Sequence, residues 1–110
     1  MKISVRRVDK AAILNVSGSV DMSNSLEVRK VLLREILDKS IDRVVLNLVE
    51  VRYIDTATVA SLVEGLKASR EKGSRLVLFG LSESVRESLK ITRVLNLFDV
   101  CDDEEQAMNL

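Results

Sequence analysis

The sequence predicts an α/β fold: an opening hairpin, then alternating strands and helices on a mixed sheet of four to five strands, with about four helices. Three observations carry this expectation. Residues 3–8 alternate apolar and polar side chains, and a two-residue turn leads from them into a second β-rich stretch. Residues 43–49 and 75–80 are short, β-branched, apolar runs of the kind a parallel sheet buries on both faces. The segments between and after them place apolar residues three and four apart, the helical period.

Each element follows in order. Ile3 and Val5 alternate with Ser4 and Arg6, as in a half-exposed strand. Asp9-Lys10 makes the turn, residues 11–17 the second strand and Gly18 its close, which leaves Ser19-Val20-Asp21-Met22-Ser23 as a polar loop. Asn24-Ser25-Leu26-Glu27 has the spacing of a capping box, in which a side chain accepts from the third helical amide and the Glu reaches back. The helix behind it carries Val28, Leu32 and Ile36 at four-residue spacing, with Val31 beside them, and should end near Asp38-Lys39-Ser40. Residues 43–49 are a central strand. Residues 51–58 extend it briefly and lead into a second helix that runs to about Lys72. Its apolar stripe is Val59, Leu62, Val63 and Leu66, with Ser61, Glu64 and Glu71 opposite and Gly73 as a left-handed terminator. After the strand at 75–80, Ser82 or Ser84 caps a third helix that turns Val85, Leu89 and Thr92 inward. Residues 97–101 add a short edge strand, and Asp102 with Glu105 begins a last short helix. Alternation after the hairpin demands right-handed crossovers and a largely parallel sheet. No repeat, low-complexity tract or linker divides residues 1–110, so a single domain is expected.

Composition narrows the function. The 17 basic and 17 acidic residues cancel, so no net field draws the chain to nucleic acid or anionic lipid. Aromatic residues are 3% of the sequence, too few for a base-stacking platform. With no histidine, the commonest general base and metal ligand are missing, and Cys101 alone cannot build a thiolate metal site. No catalytic constellation, metal or cofactor is expected, and Cys101 reads as a small packed residue. A lone cysteine fits a reducing compartment, and no apolar run suits a signal peptide or a membrane span, so the expected location is the cytoplasm.

In open α/β sheets, sites gather where strands end and helices begin. Two loops share that edge, residues 18–24 and residues 55–58. Asp55 and Thr56 fall in or before the first turn of the second helix, where amides are unpaired and the dipole is worth about half a positive charge. Phosphorylating a hydroxyl there adds a charge of about −1.5 to −2. The helix end tolerates such a charge, whereas a docked partner does not. Two unit charges about 5 Å apart repel by about 3 kcal/mol at an effective dielectric near 20, on the order of a hundredfold in affinity. Local pattern alone also allows a plainer role: Asp55 or Thr56 simply caps the helix, and Asp21, Ser23 and Asn24 are ordinary turn and cap residues.

The whole pattern goes further. The segment Val44-Val45-Leu46-Asn47-Leu48-Val49-Glu50-Val51-Arg52-Tyr53-Ile54-Asp55-Thr56-Ala57-Thr58-Val59 resembles the signature of the STAS domain, the fold of bacterial anti-sigma-factor antagonists. That signature is an apolar strand, a spacer, then Ile/Met-Asp-Ser-Ser-Gly-Leu opening a helix. Gly18-Ser19-Val20-Asp21 is similar to the family's Gly-x-Leu-Asp, and residues 90–98 to its Leu-Thr-Gly-Leu-Phe stretch. Ala57 replaces the second Ser and Thr58 the Gly, which sets a β-branched side chain beside the acceptor.

The resemblance implies partner switching. An antagonist of this family binds an anti-sigma factor that is also a serine/threonine kinase, is phosphorylated by it, and is reset by a phosphatase. By position, Thr56 would be the phosphoacceptor, and Asp21, Ser23, Asn24, Asp55, Thr58 and Ser61 would join it on or near the docking surface. An alternative within the same fold is a non-catalytic accessory subunit on the ATPase of an ABC-type phospholipid transporter. Some such subunits carry Asp-Thr at this position.

Overall fold

The computed structural model describes residues 1–110. Strands β1 (Lys2–Val8) and β2 (Ala11–Val20) make the hairpin. There follow α1 (Ser25–Leu37), β3 (Arg43–Ile54), α2 (Thr56–Lys72), β4 (Arg75–Phe79), α3 (Glu83–Ile91), β5 (Asp99–Cys101) and α4 (Glu104–Asn109). A 3-10 turn at Leu95–Leu97 precedes β5, so the edge strand begins at Asp99 and not at Leu97 as the sequence suggests. The sheet runs β1-β2-β3-β4-β5, antiparallel in its first pair and parallel in the others. It is the mixed five-stranded sheet with four helices that the sequence predicts.

Strand alternation sorts the interior onto two faces. One carries Ala12, Leu14, Val16, Val44, Leu46, Leu76 and Leu78, covered by Val28, Leu32 and Ile36 of α1, Leu62 and Leu66 of α2, and Val85 and Leu89 of α3. The other carries Ile13, Val45, Val77, Phe79 and Cys101, with only Ala107 of α4 buried against them. That second face therefore opens to solvent beyond α4. Asn47 is half-buried and donates to Asn15 Oδ1 at 2.9 Å, and Val49 is exposed. The expectation that residues 43–49 are buried on both faces is corrected there, because one short helix cannot cover the whole sheet.

Two strand boundaries also differ from expectation, for one reason. β2 passes through Gly18 to Val20, and β3 is continuous from Arg43 to Ile54. Pairing slips twice: Asn15 faces Asn47 but Ser17 faces Glu50, and Gly18 faces Val51 but Ser19 faces Tyr53. At each slip β3 carries one residue more than β2, a bulge. Strict alternation from Leu48 would send Glu50 and Arg52 into the core. The bulges instead bury every third residue, Leu48, Val51 and Ile54. Gly18 makes the bend with φ 94, a left-handed conformation that glycine adopts without strain, so the strand bends where the sequence suggests it ends.

Two helix starts are corrected as well. Asn24 makes no side-chain cap. Its Oδ1 accepts from the Asp21 amide at 2.9 Å and its Nδ2 donates to the Ser19 carbonyl at 3.2 Å, so it braces the loop and no capping box forms. Asp103, not Asp102, caps α4 by accepting from the Gln106 amide. Between the two sequence candidates for α3, Ser82 is the cap, accepting from the Val85 amide.

Helices α1 and α2 are fixed to each other at three points. Gly65 lets them approach so closely that a Cβ there would lie 2.6 Å from Leu32 Cδ2. Arg29 of α1 pairs with Glu64 of α2 through two hydrogen bonds. The Lys72 ammonium donates to the carbonyls of Ile36, Asp38 and Ile41, satisfying acceptors at the negative end of α1.

Candidate functional site

The bulges of β3 decide where the site lies. They deliver Ile54 into the core beside Val20, its partner in the sheet, and so place Asp55 at the first turn of α2. Asp55 is the N-cap: its Oδ1 accepts from the Thr58 amide at 2.9 Å and from the Thr58 hydroxyl at 2.8 Å. The same hydroxyl lies 3.0 Å from the Val20 carbonyl. The Asp55 amide in turn donates to that carbonyl at 3.3 Å. One small cluster thus ties the end of β2 to the head of α2.

Thr56, the first helical residue, stands outside this cluster. Its side chain is exposed, while Asp55 directs its side-chain bonds to Thr58. The hydroxyl is carried by a helix whose N-terminus is clamped from behind, and it faces solvent at the end where the dipole favours negative charge.

Two sequence expectations are corrected here. Thr58 is 2% exposed, not on the rim. It is a first-turn residue on the core side, and its hydroxyl works as an internal staple. The β-branched side chain therefore does not crowd the acceptor. Ser61 is 7% exposed and its hydroxyl donates back to the Ala57 carbonyl at 3.2 Å, so it too faces inward, one turn further along. Both belong to the support of the site rather than its surface.

The loop after β2 lies at the same edge. Asp21 Oδ1 accepts from the Ser23 amide at 2.9 Å and from its hydroxyl at 2.5 Å. The Ser23 hydroxyl, and then its amide, hold the Asp21 carboxyl below its ordinary pKa. The Asp21 carbonyl accepts from the amides of Asn24 and Ser25. Ser23 is exposed and Asp21 and Asn24 are half-buried, so this knot brings all three to the rim with fixed geometry.

Shallow grooves flank Thr56. One, of about 130 Å³, is lined by Tyr53, Ile54, Asp55, Thr56, Val59, Ser88, Ile91 and Thr92. Another runs along α2 past Ala60, Val63 and Lys67 to Val94. Tyr53 is 47% exposed and Ile91 73%, and Met22 and Leu26 stand out near the start of α1. These apolar residues are missing from the sequence-level site. A signal was present for two of them: Leu26 falls outside the Val28/Leu32 stripe, and Ile91 falls outside the Val85/Leu89 stripe.

No group of three or more His, Cys, Asp or Glu side chains gathers as a metal site, and no helix is long and apolar enough to cross a membrane. The arrangement is an exposed threonine on a clamped helix end, set in a mosaic of polar and apolar side chains.

Comparison with known proteins agrees with this fold. The STAS domain model matches residues 2–107. BtrV of Bordetella bronchiseptica, designated an anti-sigma factor antagonist, is 31% identical over 107 residues, spanning 97% of this chain and 91% of that protein. The crystal structure of TM1081 of Thermotoga maritima, with the same designation, superposes with a TM-score of 0.88 at 24% identity, over 97% of this chain and 92% of that one. The Bacillus cell-fate determinant SpoIIAA in its phosphorylated form has the same fold at 13% identity, with a TM-score of 0.76 over 98% of this chain and 97% of that one.

Proposed function

The chain belongs to the STAS-domain family, in its anti-sigma-factor-antagonist branch, and on that premise we propose that it docks an anti-sigma factor which is also a serine/threonine kinase, and that phosphorylation of Thr56 ends the complex. A phosphatase would restore the docking form. The observation that carries this reading is the contrast at the head of α2: Thr56 exposed, Thr58 buried and bonded. A kinase meeting this surface finds one threonine hydroxyl it can reach without unfolding the first turn.

The docking surface in this reading is Thr56 with Asp21, Ser23, Asn24 and the half-exposed Asp55, and the apolar residues Met22, Leu26, Tyr53 and Ile91 supply area to bury. Phosphate at Thr56 sets a dianion into that contact. At about 3 kcal/mol for each unit-charge pair near 5 Å, release is expected. The fold tolerates the change, since the charge lands on the favourable end of a helix dipole. SpoIIAA, solved both unphosphorylated and phosphorylated, supports the idea that this architecture holds in either state.

The test is phosphorylation by the cognate kinase followed by mass spectrometry and binding measurements. Phosphate should fall on Thr56, and Thr56→Glu should weaken kinase binding about a hundredfold with unfolding stability within about 1 kcal/mol of wild type. Modification only at other residues would reject the switch. Capture of an ABC-type ATPase in place of a sigma-regulating kinase would move the chain to the transporter-accessory role.

A further inference from the structure

Helices α2 and α3 end in the same hydrogen-bonded motif with different residues at its strained position. After α2, the Gly73 amide donates to the Arg70 carbonyl and the Ser74 amide to the Ser69 carbonyl, with Gly73 at φ 81. After α3, the Arg93 amide donates to the Lys90 carbonyl and the Val94 amide to the Leu89 carbonyl, with Arg93 at φ 61. This is the Schellman closure, whose left-handed residue is usually glycine because a Cβ is disfavoured there. An arginine in that place is held against a local conformational penalty. Such strain is a pointer to function when the side chain has something to do.

The position of Arg93 says what that is. Its neighbours Thr92 and Val94 each line a groove that contains Thr56. Arg93 itself is exposed and lines a hollow with Lys90, Leu95 and Asn96. None of the molecule's ion pairs engages Arg93, Lys90 or Lys67, the cation on the α2 groove. The side of the site formed by α3 is thus an apolar strip, Ile91 and Val94, beside Arg93 and Lys90, neither of which is held in an ion pair, while Glu64 shares the α2 groove with Lys67.

We propose that Arg93 is a specificity-determining anchor for the docked kinase, which presents a carboxylate to it beside the apolar contact. This rests on the reading that a kinase docks at Thr56, and it adds the sign of the charge that the partner must offer. A guanidinium carried on a fixed stretch of backbone that meets a carboxylate at a rim both strengthens the correct complex and penalises a partner carrying a cation there.

Arg93→Gly tests it, because binding and stability should move in opposite directions. Glycine relieves the left-handed strain, so Tm should rise by roughly 4 °C. Affinity for the kinase that phosphorylates Thr56 should fall at least tenfold, and the salt dependence of binding should flatten. Arg93→Lys should keep most of the affinity, and Arg93→Glu should lose more than glycine does. Unchanged affinity in Arg93→Gly overturns the anchor while leaving the Thr56 switch standing. A drop in Tm alongside lost affinity also overturns it, since the arginine would then be structural. A wild-type chain that no such kinase binds removes both readings together.

Discussion

Thr56 and Thr58 are two residues apart on one helix turn and face opposite ways. A helix advances about 100° per residue, so a two-residue step carries a side chain most of the way to the other face. Thr56 is exposed, while Thr58 is packed under Val20 and Asp55. Replacing Thr58 by Val keeps the shape and removes the hydroxyl, whose single proton serves either the Asp55 carboxylate or the Val20 carbonyl, so the buried cluster loses one donor. Chemical denaturation should show a loss of about 1–2 kcal/mol, whereas Thr56→Val should change stability by no more than about 0.5 kcal/mol. Equal losses from the two variants would mean that both threonines are structural.

At the scale of elements, the site depends on how α2 is seated. The helix is capped by Asp55, closed by Gly73 and pressed against α1 at Gly65. Gly65 is the telling residue, because intrinsic propensity favours Ala there by about 1 kcal/mol. The contact with Leu32 Cδ2 reverses the sign: a buried leucine held by its own neighbours cannot withdraw freely. Gly65→Ala should therefore destabilise by about 1–3 kcal/mol, read from the denaturation midpoint at unchanged slope. A more stable Gly65→Ala variant would show that α1 and α2 can separate, and with them the end of β2 and the head of α2 that Val20, Asp55 and Thr58 join.

Over the whole molecule, charges tie the hairpin to the first helix. Arg7 on β1 donates to Glu35 and to Asp38 on and after α1, and Glu35 is 2% exposed. The Asp38 carboxyl is lowered from 3.8 to about 2, first by the Ser40 hydroxyl, then by the Ser40 amide and Arg7. Asp21 is lowered by Ser23, and Glu64 by Arg29. A carboxyl with a depressed folded pKa contributes stability that is complete above its unfolded value and is lost as pH falls toward the folded one. Denaturation midpoints should hold from neutrality to about pH 4.5 and then fall steadily toward pH 2. Asp38→Asn should be less stable than wild type at neutral pH and flatten the lower part of that slope. A slope that Asp38→Asn leaves untouched would assign acid sensitivity to other groups.

Much of this protein is local in origin, and the sequence carries that part. Alternation in residues 3–8, apolar runs at 43–49 and 75–80, helical stripes through Val28 and Leu62, and the terminator Gly73 are each decided within a few residues. So is the exposed place of Thr56 at the start of α2. The inward turn of Thr58 and Ser61, the bracing role of Asn24, the passage of β2 through Gly18 and the every-third burial of Leu48, Val51 and Ile54 needed the tertiary structure. The Thr58 staple and the strand register depend on partners far away in the chain: the Thr58 hydroxyl lies against Val20, 38 residues back, and a bulge exists only against the strand beside it. Asn24 and Ser61 bond within five residues, but which of their local options is used follows from how the loop and helix pack. Periodicity sets which elements form. Register and long-range hydrogen bonds set which side chain of an element faces the world.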